Sequence, residues 1–89
     1  MEFQWDPEKA LENERKHGVA FLEALGVFDD DLSSSVADPD HSEGEYRYLI
    51  FGQSVSGRLL VVSYTERDER IRLISTREMT PRERQAYEQ

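Results

Sequence analysis

RLLVVSYTERDERIRLISTRE, residues 58–78, decides the fold. Two runs rich in β-branched, aromatic and aliphatic residues, Leu59 to Thr65 and Ile71 to Thr76, flank the Asp68-Glu69 bend. A connection that short serves only antiparallel neighbours. A third run, Tyr46 to Phe51, reaches the first across Gly52 to Gly57, again too short for a parallel crossover. The spacing therefore predicts three consecutive antiparallel strands. Along the last of them, a period of two places Ile71, Leu73, Ser75 and, continuing the row, Arg77 on one face, with Arg72, Ile74 and Thr76 on the other.

Working upstream, a weaker strand around Ser33 to Val36 leads into Asp38-Pro39-Asp40, whose residue types favour a turn. Before it, Phe21, Ala24, Leu25 and Phe28 follow the i, i+3, i+4, i+7 spacing of a one-sided core helix, although Gly26 weakens it. Asp6-Pro7 supplies an N-cap and a proline at the first helical position, and Gly18 a left-handed stop after His17. That helix has only Ala10 and Leu11 as apolar residues, so most of it faces water or a partner. Phe3 and Trp5 alternate about Gln4 as a short strand would. Downstream, Thr80-Pro81-Arg82-Glu83 has the form of a capping box and starts a last helix carrying Tyr87. The expectation is one α+β domain over residues 1–89, because 89 residues leave nothing for a second core. It has an antiparallel sheet of about four strands, with two N-terminal helices and one C-terminal helix packed on it.

Hydrophobic residues make up 37% of the chain and charged ones 34%, enough to fold with little apolar surface to spare. The absence of cysteine excludes a disulfide framework, a thiolate metal site and a thiol nucleophile, and fits the cytoplasm. Met1 to Lys9 is polar, unlike a secretory leader, and no apolar run approaches a membrane span. The net charge of −8 argues against undirected affinity for nucleic acid. Its distribution qualifies that: residues 1–57 hold 4 basic and 13 acidic side chains, whereas residues 58–89 hold 7 arginines and 6 acids.

Arg67, Arg70, Arg72 and Arg77 fall on the two strands of the quoted stretch and the bend between them. Guanidinium groups stay charged when partly desolvated and grip phosphate or carboxylate with two bonds, so Arg77 at a strand end suits a phosphate site. Equally, such arginines can pair with Glu66, Asp68, Glu69 and Glu78 nearby, as charges on a solvated sheet usually do. Lys16-His17-Gly18 puts a cation and an imidazole at a helix C-terminus, where the dipole favours positive charge. The pair can act as proton carrier and phosphate ligand, or simply as a basic C-cap. Asp29, Asp30, Asp31, Asp38, Asp40 and His41 lack the spacing of a calcium loop and read as an acidic loop or a docking surface for a basic partner; no metal and no cofactor are expected. Dinucleotide, P-loop and serine-hydrolase motifs have no counterpart here.

Two separated groups of residues, in order along nearly the whole chain, resemble the BrnT toxins. The first is Phe3-Gln4-Trp5-Asp6-Pro7-Glu8-Lys9, Asn13, Lys16-His17-Gly18-Val19, Phe21, Ala24 and Val27-Phe28-Asp29-Asp30. The second is Arg47, Gly52, Thr65-Glu66-Arg67, Arg72-Leu73-Ile74-Ser75-Thr76-Arg77, Glu83 and Tyr87. Ala20 departs from the serine or threonine cap often found there, and Thr76 from the usual alanine. The resemblance implies a RelE-like fold, RNA cleavage without a metal, and inhibition of translation and growth. It also implies neutralisation by a BrnA-like antitoxin, whose ribbon-helix-helix part, not the toxin, would touch operator DNA. Arg67 and Arg77 are similar to arginines held to matter for toxicity, and Lys16 and His17 match the other polar positions.

Cleavage of this kind has the RNA 2′-hydroxyl attack its own phosphodiester, which needs proton transfer and positive charge around the phosphorane. Arg67 and Arg77 are expected to gather into one pocket as that charge. His17, Glu78 or Glu66 would move protons, and Tyr64 or Trp5 could stack a base unless Trp5 is core. The alternative is a non-catalytic module on the same fold, its acidic half docking a basic protein.

Overall fold

A computed structural model describes residues 2–39 and 45–89. The order is β1 (Glu2–Gln4), α1 (Pro7–His17), α2 (Phe21–Ala24), a 3₁₀ turn (Leu25–Asp29), β2 (Ser34–Ala37), β3 (Tyr48–Gln53), β4 (Leu59–Arg67), β5 (Arg70–Glu78) and α3 (Pro81–Tyr87). Among the described residues the strands form one sheet in the order β1-β5-β4-β3-β2. The β2-β3-β4-β5 ladder is antiparallel, as the short connections require. The sheet is nevertheless mixed and five-stranded, because β1 pairs parallel with β5 through Phe3↔Ile71. The chain between β1 and β5 holds both N-terminal helical segments and three strands, far more than the dozen residues a parallel crossover needs.

Local chemistry sets the ends of the helices. Asp6 accepts a bond from the Glu8 amide at 2.9 Å, and Gly18 closes α1 at φ 70°. Thr80 and Glu83 complete a capping box on α3. The single core helix expected after Gly18 is instead one α-turn followed by a 3₁₀ turn. Gly26 lies in that turn, where an added Cβ would stand 3.0 Å from the Val55 amide nitrogen, so close packing on the β3–β4 loop uses the missing side chain.

The core lies between this helical layer and one sheet face. Val19, Phe21, Ala24 and Val27 meet Ile50, Leu60, Val62, Tyr64, Ile71 and Leu73, with Phe3 and Trp5 packed at the margin. Trp5 stands edge-on to Phe21 and Tyr64 edge-on to Phe28. Both rings are committed to the core, and the Tyr64 hydroxyl is bonded to Ser35, which corrects its expected role as a base-stacking platform.

One irregularity reorders the rest. Ser63 pairs with Ser75 but Tyr64 with Leu73, so Ile74 is an extra residue on β5. A bulge of this kind inverts the side-chain alternation beyond it. Thr76 and Glu78 therefore join Ile71 and Leu73 on the core side, while Ser75 and Arg77 turn to the opposite face with Arg72. The uninterrupted row Ile71-Leu73-Ser75-Arg77 expected from period two does not exist.

Candidate functional site

The sheet face away from the core can be built row by row from the register. Phe51, Val61 and Arg77 form the row nearest α3, followed by Leu49, Ser63 and Ser75. Next, Arg47, one residue before Tyr48, lies beside Thr65 and so in line with Arg72 and Gln4. Arg67 and Arg70 form the last row, by the hairpin. Polar and cationic side chains thus occupy a face whose far end alone is apolar.

A helix flanks this face because of one side chain. Beyond Gln4, the edge of β5 away from β4 has no strand beside it among the described residues, and the Asn13 amide takes the strand's place: its Nδ2 donates to the Thr76 carbonyl at 2.9 Å and its Oδ1 accepts from the Thr76 amide at 3.0 Å. The same Nδ2 donates to the Val19 carbonyl at 3.0 Å. Asn13 is the buried residue of α1, and it fastens that otherwise polar helix along the β5 edge. Asparagine is unfavourable inside a helix unless it has such a duty, and that was the sequence signal for it.

Between α1 and β5 runs an open cleft of about 510 Å³, lined by Lys9, Glu12, Asn13, Arg15, Lys16, His17, Ile74 and Ser75. Lys9, Glu12, Asn13 and Lys16 recur at helical spacing, so one stripe of α1 supplies most of the wall. Lys9 and Ile74 also border a smaller recess of about 70 Å³ with Arg47, Thr65, Arg67 and Arg72. Cleft and recess are therefore continuous.

Lys16 and His17 both line this cleft. Arg67 and Arg77 do not form one pocket. They share a sheet face, but Arg67 stands at the hairpin and Arg77 six residues along β4 from it, opposite Val61, which is about 20 Å at strand rise. Each is forked onto its own carboxylate. Arg67 donates to Glu45 at 3.1 and 2.9 Å, and Arg77 to Glu83 at 2.8 and 3.0 Å. The hydrogen bonds from Arg77 hold the Glu83 carboxyl down at about 2, against the opposing effect of burial. Since Glu83 also accepts from the Thr80 amide, Arg77 belongs to the cap of α3.

Glu78 is displaced from this face by the bulge. It accepts from Arg58, which also pairs with Glu23 and donates to the Gly18 carbonyl, a network that ties the loop after α1 to β4 and β5. Glu66 pairs with Ile71 and shares the core-side parity. Neither carboxylate lines the α1–β5 cleft. Asp30 accepts from the Leu32 and Gln53 amides and from the Tyr87 hydroxyl, a structural use of the acidic loop; Asp40 and His41 lie outside the described residues. Lys9 and Arg47 were not singled out for the site from spacing, and Arg72 only as one of four arginines on the last hairpin. Arg47 lies one residue outside its strand, and Arg72 reads as a solvated charge until Arg47 and Lys9 converge on it.

A family model described as "Ribonuclease toxin, BrnT, of type II toxin-antitoxin system" matches residues 5–83. Among solved structures, that of the Brucella abortus ribonuclease toxin BrnT is similar at 22% identity, with a TM-score of 0.65, over 90% of this chain and 97% of that one. That likeness shows a shared α+β fold. No curated protein sequence matches. Among the described residues, no helix is long and apolar enough to cross a membrane.

Proposed function

The chain belongs to the BrnT family of ribonuclease toxins of type II toxin–antitoxin systems, and from that premise we propose that it cuts single-stranded RNA laid along the α1–β5 cleft. The observation that carries this reading is the convergence of Lys9, Lys16, His17, Arg47, Arg67 and Arg72 on one continuous groove of a chain whose net charge is −8.

In the reaction, the RNA 2′-oxygen bonds to the adjacent phosphorus and the bond to the 5′-oxygen breaks. The products are a 2′,3′-cyclic phosphate and a 5′-hydroxyl. One proton leaves the 2′-hydroxyl and one is delivered to the departing oxygen. His17 is the group for one of these transfers, and Glu12 is the carboxylate in the same lining for the other. Lys16 stands beside the phosphorane, and the arginines hold flanking phosphates. The steps so drawn need no metal. Arg77 is assigned to α3 and Glu78 to the Arg58 network rather than to the chemistry.

The same reading places the protein in the cytoplasm, in a RelE-like fold group, inhibiting translation until a BrnA-like ribbon-helix-helix antitoxin covers it. The family itself implies an antitoxin partner.

The test incubates purified protein with labelled RNA in EDTA and maps the cut ends. Cyclic phosphate ends are expected, with the rate falling about a hundredfold or more for His17→Ala, the range typical of a lost proton carrier, and about tenfold or more for Lys16→Ala, which removes charge beside the phosphorane. Intact RNA, together with unaffected growth on induced expression, would defeat the reading. Strict dependence on an added divalent ion would defeat its metal-free part alone.

A further inference from the structure

Resting on the reading that RNA occupies this face, we infer that the recess among Lys9, Arg47, Arg67 and Arg72 is a dedicated phosphate subsite, separate from the Lys16-His17 end and occupied by the Glu45 carboxylate when no RNA is bound.

Four cations line the recess against two carboxylates, Asp6 and Glu45. Asp6 is engaged by the first turn of α1, where it caps the Glu8 amide. That leaves Glu45 as the one anion serving the cluster. It takes two hydrogen bonds from Arg67, while Arg47 keeps a buried Nε with no hydrogen-bond partner. Lys9 and Arg72 form no ion pair among the described residues. A buried guanidinium nitrogen without an acceptor is costly, and natural proteins rarely keep one without a use. An anion seated in the recess would supply the missing acceptor and neutralise charges that one carboxylate leaves over.

The geometry suits phosphate in particular. Arg47, Thr65 and Arg72 form one lateral row across three strands, and Lys9 reaches in from the helix, so donors approach from several directions. A carboxylate presents its lone pairs in one plane and serves donors arriving in that plane best. A tetrahedral phosphate offers oxygens to several donors at once. Its volume of about 70 Å³ fits a group of a few heavy atoms. The Glu45–Arg67 fork is partly exposed, with 50% of the Arg67 side chain and 30% of the Glu45 side chain open to solvent, so exchange of one anion for another needs no rearrangement of the core. The hydrogen bonds from Arg67, with smaller help from Thr65 and the nearby Arg47 charge, hold the Glu45 carboxyl below its usual range against the effect of burial, so it competes as a full anion at neutral pH.

The experiment titrates the full chain with inorganic phosphate while following the arginine Nε–H resonances by NMR. The expected result is a shift of Arg47, Arg67 and Arg72 Nε–H. Glu45→Gln should tighten phosphate binding by about tenfold, one tenfold step being the loss of a single competing exposed contact. Arg47→Lys, which keeps the charge and loses the fork, should weaken it severalfold with an unchanged melting temperature. Shifts confined to other residues, or Glu45→Gln binding no better than the parent, would overturn the inference. RNA cleavage by the same samples is read separately. Cleavage with no phosphate response removes the subsite and leaves the proposed function standing, whereas a phosphate response without cleavage does the reverse.

Discussion

At the scale of single residues, Asn13 shows how one polar side chain can substitute for a strand. Its three hydrogen bonds are buried, so removing them leaves the Thr76 amide and carbonyl and the Val19 carbonyl unsatisfied. Unpaired buried groups cost about 1–3 kcal/mol. Asn13→Ala is therefore expected to destabilise the protein by about 2–3 kcal/mol, a fall of roughly 10–20 °C in a chain of this size. Asn13→Asp should be no better, because a carboxylate can accept from Thr76 but cannot donate to either carbonyl. Thermal melts of the two variants check this; a mild effect of the aspartate would mean that the donor bonds carry little. Arg77 and Glu83 give a second residue-scale expectation, on pH. The Glu83 carboxyl is held at about 2 in the folded protein, below its usual 4.5. A lowered folded value means stability present above pH 4.5 and lost as pH falls toward 2. Arg77→Ala should flatten that acid limb in melts taken from pH 6 down to pH 2, and since Arg77 is partly exposed, added salt should flatten it too.

At the scale of elements, the β4–β5 hairpin contains its own strain. Asp68 and Glu69 both take positive φ, 50° and 66°, a turn that matches strand twist but penalises residues with a side chain. Glu69→Gly is expected to raise the urea midpoint by a stability gain of roughly 0.5–1 kcal/mol, the relief of the left-handed residue exceeding the added chain entropy. An unchanged or lowered midpoint would show that the turn is not limiting. The hairpin itself was legible because its signals are local: two β-rich runs and a connection too short for anything else. The caps at Asp6, Gly18 and Thr80 were legible for the same reason. The parallel pairing of β1 with β5 joins residues nearly 70 positions apart and leaves no mark on either segment. The bulge at Ile74 is also silent, since alternation looks continuous through it, and that one residue moved Arg77 and Glu78 to faces opposite those expected. Lys16 and His17 could be chosen from a helix end alone. Arg47 required the sheet to be assembled before its neighbours were known. The α3 helix buries none of its residues and is held by the Glu83 pair and by the Tyr87 bond to Asp30. Tyr87→Phe should expose its Arg82 and Arg84 bonds to faster trypsin cleavage than in the parent, with a loss of about 1 kcal/mol. Equal cleavage rates would place the hold elsewhere.

For the whole molecule, the decisive property is the contrast between a body of net charge −8 and a groove where cations outnumber acids. Screening confines the repulsion by the body to about 10 Å at 0.1 M salt, so on the proposed reading RNA meets a repulsive surface at short range everywhere except at the groove. That arrangement suppresses loose coating by RNA and leaves affinity to a few close contacts. With about two phosphates neutralised, one in the recess of Lys9, Arg47, Arg67 and Arg72 and one beside Lys16, single-strand counterion release gives a slope near −0.7 per contact. The affinity for a non-cleavable 2′-deoxy oligonucleotide should then fall roughly sevenfold between 50 and 200 mM salt. Arg72→Gln should lower the slope by about 0.7 and weaken binding without sequence preference, as loss of a phosphate contact does. Arg70→Gln, on a residue paired with Glu2 at the hairpin, should leave the slope unchanged. A salt profile that is flat, or that responds to Arg70→Gln as strongly as to Arg72→Gln, would mean that RNA is not held by this groove.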